Sequence, residues 1–87
     1  MNYNEHLKEK MKNPEFKKKF EEEKRLLELS YAITEAREQR GLTQKELALK
    51  SRVTQQQLSK IENGVNCNML TFIKVSSALG LGISVTA

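Results

Sequence analysis

Residues 43–64 arrange their apolar and polar positions in two short helical repeats joined by a tight turn. Thr43 opens the first repeat and Thr54 opens the second. Glu46 and Gln57 follow them at the three-residue spacing of a capping box, which begins a helix. The apolar positions recur at helical spacing on one face of each repeat; they are Leu47, Ala48, Val53, Leu58 and Ile61. The pattern predicts a helix-turn-helix.

The second helix of this pair, predicted over residues 55–63, has two chemically different faces. Leu58 and Ile61 point one way, towards a core. The opposite face carries amide, hydroxyl and ammonium groups, from Gln55, Gln56, Ser59, Lys60 and Asn63. An amide can pair with the edge of adenine, and lysine suits guanine or a phosphate. Most amphipathic helices also have a polar face, so the spacing, more than the amide content, favours base reading.

The N-terminal part of the chain predicts two further helices. Residues 1–12 carry one apolar stripe, and Asn13 followed by Pro14 is typical of an N-cap and the first position of a new helix. Neither glycine nor proline follows until Gly41. The pattern predicts one helix about 40 Å long, or one that breaks in the charged stretch 21–25.

A continuous helix here would have two apolar stripes. The first is predicted to join the core of the helix-turn-helix; it comprises Leu26, Leu29, Ala32, Ile33 and Ala36. The second lies on nearly the opposite side; it comprises Phe16, Phe20, Leu27 and Tyr31. Two interpretations stay open for this second stripe: the chain folds back near residues 21–24 and buries it, or a partner or second copy covers it.

The C-terminal part predicts one more helix and a short strand. Gly64 ends the second helix of the pair as a left-handed residue, and Asn68 caps a helix over residues 69–79, whose apolar side closes the core. The alternation of Ile83 and Val85 predicts a strand. A lone strand is not stable by itself, so it pairs with another strand or is a frayed tail.

Length and composition set the function classes. The chain has 87 residues and a net charge of +4, which allows one modest core and permits nucleic-acid binding. No segment approaches the ~20 apolar residues of a membrane span, and no signal peptide is apparent, so we expect a cytoplasmic protein. His6 and Cys67 are the sole histidine and cysteine. With no nucleophile motif or ligand spacing, we expect no enzyme activity, catalytic residue, cofactor or metal.

The distribution of charge is more informative than its total. Residues 1–25 hold eight Lys and Arg against six Glu, which nearly cancel. Residues 43–60 hold four cations against Glu46 alone; these are Lys45, Lys50, Arg52 and Lys60. The positive excess therefore lies on the predicted helix pair, where a duplex would bind.

The helix pair resembles the XRE family of lambdoid phage repressors and Cro. The resemblance rests on the run LTQKELALKSRVTQQQLSKIENG, followed by SSALGL, and covers roughly residues 32–81. It implies an all-α, lambda-repressor-like bundle that binds double-stranded operator DNA as a homodimer, with half-sites roughly 10 base pairs apart. It also aligns Arg37 and Glu62 with a partly buried ion pair. In place of that pair, the two could simply be unrelated surface charges.

For DNA binding we assign two sets of contacts. The predicted base contacts are Gln55, Gln56, Ser59 and Lys60; the predicted backbone contacts are Thr43, Gln44, Lys45, Arg52 and Asn66. Two departures from the family pattern stand out. Arg52 occupies a turn position where many members have glycine, which affects one local backbone conformation, and residues 65–68 lack the basic side chains of many members, which implies fewer phosphate contacts per monomer.

The chain also resembles HigA-type antitoxins of type II toxin-antitoxin modules. The resemblance rests on PEFKKKFEEEKRLLELSYAITEAREQRG leading into LTQKELA, with the ending ALGLGISVTA. It implies a chain of three parts: a partner-binding helical extension (residues 1–25), a helix-turn-helix DNA-binding domain (residues 26–81) and a strand or tail (residues 82–87). It further implies a dimer that represses its own operon and neutralises a small basic ribonuclease toxin of the HigB, or RelE-like, class.

The predicted toxin contacts lie on the extension and at the start of the domain; they are Phe16, Phe20, Glu21, Glu22, Glu23, Leu27 and Tyr31. Two other functions stay open at this point. One is a solitary phage- or plasmid-type repressor without a toxin partner, which the same DNA contacts would serve. The other is a protein-interaction module that has lost DNA binding.

Overall fold

The computed structural model describes residues 3–82, and every regular element in that range is an α-helix. The helices are α1 (Tyr3–Lys10), α2 (Pro14–Gln39), α3 (Gln44–Ser51), α4 (Gln55–Glu62) and α5 (Met69–Ala78). The predicted strand at Ile83 and Val85 lies outside the described residues. No helix within residues 3–82 is both long enough and apolar enough to cross a membrane.

α2 is one unbroken helix of 26 residues, about 39 Å long at the usual rise. The side-chain oxygen of Asn13 caps it by accepting the backbone N–H of Glu15 at 3.0 Å, and Pro14 stands at the first position. The chain does not break within residues 21–25, so the interpretation in which it folds back there is wrong. α2 carries residues 14–25 outward from the helix-turn-helix. We call residues 3–25 the N-terminal arm.

The hydrophobic core lies among α2, α3, α4 and α5. α3 packs against α4 and α5, while α2 packs against α4. Every one of the four helices contributes buried side chains, which are Ile33, Ala36, Leu47, Ala48, Leu58, Ile61, Val75 and Leu79. This core fixes the angle between α3 and α4 and so holds one face of α4 away from solvent.

The first apolar stripe of α2 joins the core only in part. Ile33 and Ala36 are buried, and Leu26 is half-buried, as predicted. The prediction is wrong for Leu29, which is 47% exposed, and for the exposed Ala32. Both line an open apolar cavity of about 350 Å³ between α2 and α5, together with Phe72. The helical period places all five residues on one side of α2, but the neighbouring helices do not extend over Leu29 and Ala32.

The second apolar stripe is divided between two environments. Phe16 and Phe20 are half-buried, and their rings stack with centroids 6.3 Å apart. The ammonium of Lys10 in the arm lies 5.5 Å from the centre of the Phe16 ring, a distance at which a cation is attracted to an aromatic face. Leu27 and Tyr31 are exposed. Lys10 of α1 therefore covers part of the aromatic end of this stripe.

Leu27 lies against the end of α4. A Cβ placed on Gly64 would stand 2.7 Å from Leu27 Cδ2, so this side chain occupies the space above the glycine. Gly64 has φ +74°, the left-handed conformation predicted for the residue that ends this helix. Leu27 thus contacts the helix-turn-helix and lies just beyond the N-terminal arm.

Candidate nucleic-acid interface

Two capping boxes fix the starts of α3 and α4. Thr43 Oγ1 accepts the N–H of Glu46 at 3.1 Å, and Glu46 Oε1 accepts the N–H of Thr43 at 3.1 Å. The same exchange joins Thr54 and Gln57 at 3.0 Å and 2.9 Å. Both predicted boxes are confirmed. Each box satisfies backbone donors that a helix start would otherwise leave unpaired, which holds the first turn in place.

The turn between the two helices is closed by backbone hydrogen bonds. The N–H of Arg52 donates to Leu49 O at 3.2 Å, and that of Val53 donates to Ala48 O at 3.1 Å. Arg52 adopts φ 60° and ψ 40°, the left-handed conformation. Its side chain is exposed. The turn therefore presents a guanidinium two residues before the N-cap of α4.

The two faces of α4 separate as its sequence predicts. Leu58 is fully buried and Ile61 is 4% exposed, so the aliphatic face points into the core. Gln55, Gln56 and Lys60 are exposed on the other side. No acidic residue occurs in the first turn of α4. The positive end of the helix dipole and the exposed amides therefore lie together, an arrangement suited to a polyanion whose bases can be read.

Ser59 differs from the other three predicted base-contact residues. It is half-buried, and the Asn63 side chain donates to its carbonyl at 2.8 Å and to its hydroxyl at 3.3 Å. The hydroxyl proton is left to donate outwards, whereas one of its acceptor positions is occupied. Ser59 can thus contribute at most one hydroxyl donor to DNA, from a short side chain that is half-buried at the edge of the exposed face.

The predicted backbone-contact residues surround the two helix starts. Thr43, Lys45, Arg52 and Asn66 are exposed, and Gln44 is half-buried. Glu46 is the one carboxylate beside the start of α3, and its oxygen is engaged by the N–H of Thr43. The region is therefore net positive with accessible donors, which is what contacts to phosphate require.

An ion pair joins α2 to α4 behind this surface. Arg37 Nε lies 3.0 Å from Glu62 Oε2, and Arg37 Nη2 lies 3.0 Å from Glu62 Oε1. The side chains are 14% and 5% exposed respectively. Arg37 Nη1 also donates to Leu42 O at 2.8 Å. One guanidinium thus holds the end of α4 and the loop before α3 at the same time.

Sequence reasoning missed two members of this network. Thr34 Oγ1 donates to Glu62 Oε1, with 3.1 Å between the oxygens, and also lies 2.9 Å from Ser30 O. Its position three residues before Arg37, on the same helical face, was a usable signal. The carbonyl of Leu42 gave none, because a backbone acceptor leaves no mark on residue type.

Cys67 lies beside the interface, in a shallow cavity of about 220 Å³ that Lys60 and Asn66 also line. Burial raises the pKa of the Cys67 thiol above its usual value. The thiol is therefore neutral at physiological pH and is a weak nucleophile. Among residues 3–82, no group of three His, Cys, Asp or Glu side chains is placed to hold a metal ion.

Comparison with known proteins agrees with this geometry. A sequence family described as helix-turn-helix matches residues 33–85, which is more than half of the chain. A search of curated proteins gives no match. The matched segment begins inside α2, so the N-terminal arm lies outside it.

Proposed function

Because the chain belongs to the XRE-type helix-turn-helix family of DNA-binding transcription regulators, we propose that it is the antitoxin of a type II toxin-antitoxin module. In this role it acts in the cytoplasm, represses its own operon as a dimer and neutralises a HigB-like or RelE-like ribonuclease. The chain performs no catalysis in this proposal. Each of its two binding functions uses a different part of the molecule.

DNA binding is assigned to the exposed face of α4. In the proposed complex this helix lies in a major groove, where Gln55, Gln56 and Lys60 reach base edges. Thr43, Lys45 and Arg52 contact the flanking phosphates. The support for this arrangement is that the amides are exposed and that Glu46, the nearby carboxylate, is already engaged by a backbone N–H.

Dimerisation supplies the affinity that one module lacks. Residues 65–68 carry no cation, so each copy makes few phosphate contacts, and a single small module binds DNA weakly at physiological salt. Two linked copies bind a palindrome with a high effective concentration for the second half-site. We therefore propose a two-fold dimer on half-sites about one helical turn apart.

The observation that carries the antitoxin proposal is the N-terminal arm. It lies outside the family match. Its residues 14–25 form the first part of α2, and the later part of the same helix packs in the domain. It bears the stacked pair Phe16 and Phe20 followed by three exposed carboxylates, at residues 21–23. Aromatic anchors beside acidic groups suit a partner with a basic surface, as an RNA-cleaving protein must have.

Co-purification with the protein encoded by the neighbouring reading frame tests the toxin part of the proposal. We expect the full chain to retain a small basic protein and to abolish its RNA cleavage. A Phe16→Ser/Phe20→Ser variant should lose both properties, because the aromatic anchors are gone, while it keeps its DNA affinity. Lys18→Ser, a change at an exposed arm position outside the predicted contact set, is the matched control and should behave as wild type.

Two results would contradict the antitoxin role. One is full neutralisation of the toxin by the double phenylalanine variant. The other is a neighbouring reading frame that encodes no small basic protein, together with repression of the chain's own promoter in a reporter assay. The second result would favour the solitary repressor, which requires the same face of α4 and no partner for the arm.

A further inference from the structure

Two charge blocks of opposite sign lie on either side of Phe20 in the N-terminal arm. Residues 17–19 are three lysines, the lysine block, and residues 21–23 are three glutamates, the glutamate block. All six side chains are exposed. Within residues 3–82, none of the six takes part in an ion pair. Both blocks can therefore pair with charges outside their own chain.

The order of the two blocks is the wrong one for a helix on its own. The lysine block lies in the second turn of α2, close to the positive end of the helix dipole, where cations are unfavourable. Each lysine precedes a glutamate by four residues, and this order stabilises a helix less than the reverse order. Exchanging the blocks would favour α2 on both counts. The stability of the isolated helix therefore does not explain the order of the charges.

A second copy of the arm has the complementary order when it runs antiparallel. At each of the first three positions counted outward from Phe20, a lysine on the N-terminal side matches a glutamate on the C-terminal side. If two α2 helices lie antiparallel with Phe20 at the same level, each lysine block lies level with the glutamate block of the other copy. A parallel pair would instead place like charges at the same level, which is repulsive.

The apolar side chains of the arm fit the centre of such a pair. Phe16 and Phe20 stack on each other and are only half-buried, so part of each ring remains open to a neighbouring helix. Packing two such rings against those of a second copy removes apolar surface from water. The charge blocks would then fix the direction and the centre of the contact, because only one arrangement pairs all the charges.

We propose that the N-terminal arms of two copies pair antiparallel, centred on Phe20, with each lysine block against the glutamate block of the other copy. This contact is additional to the dimer that binds DNA and goes beyond the proposed function. It requires neither DNA nor a toxin, so the two proposals can fail separately. The pairing covers the rings and carboxylates assigned above to the toxin, so a toxin and a second arm exclude each other.

Distances between spin labels on two copies test the direction and the centre of the pair. Labels are placed at Glu28→Cys or Glu35→Cys in a Cys67→Ser background, since Cys67 is the sole cysteine. Both positions are exposed and lie two turns apart on nearly the same side of α2. The full chain is measured by double electron–electron resonance at submillimolar concentration, because a short overlap gives a weak contact.

An antiparallel pair centred on Phe20 separates two labels at residue 28 by about 24 Å along the helix axis, and two labels at residue 35 by about 45 Å. We therefore expect the second distance to exceed the first by roughly 20 Å. A parallel pair would give nearly equal distances. Raising the salt from about 0.1 M to about 1 M, which shortens the screening length from about 10 Å to about 3 Å, should reduce the paired population severalfold.

Two block variants test the charges themselves. The all-acidic variant, Lys17→Glu/Lys18→Glu/Lys19→Glu, should lose the paired population by roughly fivefold or more, because every facing pair becomes repulsive. The reversed variant adds Glu21→Lys/Glu22→Lys/Glu23→Lys to these changes. It has the net charge of wild type and remains self-complementary, so it should keep both distances. Circular dichroism checks that each variant stays helical.

A matched control places the same change of net charge outside the blocks, at three exposed lysines: Lys8→Glu/Lys12→Glu/Lys74→Glu. This variant should keep both distances. Ile73→Ser, at an exposed apolar position of α5, should keep them as well. If Ile73→Ser abolished the distances while the all-acidic variant kept them, the contact would lie on α5 and not on the arm.

Three other results would overturn the proposal. The first is a wild-type chain whose two distances are absent or differ by much less than 20 Å. The second is an all-acidic variant that pairs as wild type does. The third is a reversed variant that loses the pairing while it remains helical, since complementary blocks would then not be its cause.

Discussion

Replacing Arg37 with methionine keeps most of the length of the side chain and removes the guanidinium that joins α2 to α4. The Glu62 carboxylate is 5% exposed. Among the described residues, its one remaining hydrogen-bond donor would be the hydroxyl of Thr34. The carbonyl of Leu42 would lose its donor as well. The substitution therefore leaves a buried charge without its counter-charge, which is far more costly than the loss of a surface pair.

Removing one partner of a buried ion pair costs roughly 3–5 kcal/mol. Because Arg37 is 14% exposed, water can reach part of the vacated site, and we expect the lower end, about 3 kcal/mol. In a domain of this size that corresponds to a fall in Tm of roughly 12–24 °C. Circular dichroism during thermal and urea unfolding measures both quantities on the full chain.

Two companion variants make this prediction specific. Arg37→Met/Glu62→Met removes both charges, so it should be more stable than Arg37→Met alone. Glu38→Gln removes an exposed carboxylate that lies 3.9 Å from the same guanidinium and should change stability by less than about 0.5 kcal/mol. If Arg37→Met melted within a degree of wild type, or if the double variant were no better than the single one, the reasoning about a stranded charge would be refuted.

Three other substitutions test separate parts of the structure. Gln56→Ala should weaken operator binding by about 1–3 kcal/mol and relax preference at one base pair; an unchanged consensus in a binding-site selection would count against base reading by α4. Ser51→Ala should stabilise the fold by about 1 kcal/mol in urea unfolding, because the buried Ser51 hydroxyl has no hydrogen-bond partner among the described residues; destabilisation would show that the hydroxyl is bonded. Gly64→Ala should cost more stability than Gly41→Ala, since both glycines have positive φ but only the first would bring a Cβ against Leu27; equal losses would show that the clash with Leu27 adds nothing to the cost.

Local chemistry made the helix-turn-helix predictable. The two capping boxes need residues only three positions apart, and the sequence at Thr43 and Thr54 supplies them. The positive φ of Gly64 follows equally from residue type at a helix end. Features of this kind depend only on residues within one helical turn of each other, so they can be inferred before any packing is known.

Features that depend on distant segments were not predictable in the same way. Leu29 and Ala32 have the helical spacing of core residues, yet they remain exposed because α5 leaves an open cavity beside them instead of packing over them. The contact between Leu27 and Gly64 joins positions far apart in sequence that no pattern links. The continuity of α2 through residues 21–25 was also left open, because a charged stretch is compatible with both a helix and a break.

α2 runs unbroken from Pro14 to Gln39. The direction in which Phe16 and Phe20 point, relative to α4, is therefore set by the number of residues between them and the packed part of α2. One residue inserted between Glu23 and Lys24 would rotate the aromatic pair by about 100° and advance it by about 1.5 Å. An insertion of seven residues would return the aromatic pair to within about 20° of its original direction around the helix axis and would move it outward by about 10 Å. Direction and reach can thus be altered separately by the length of insertion alone.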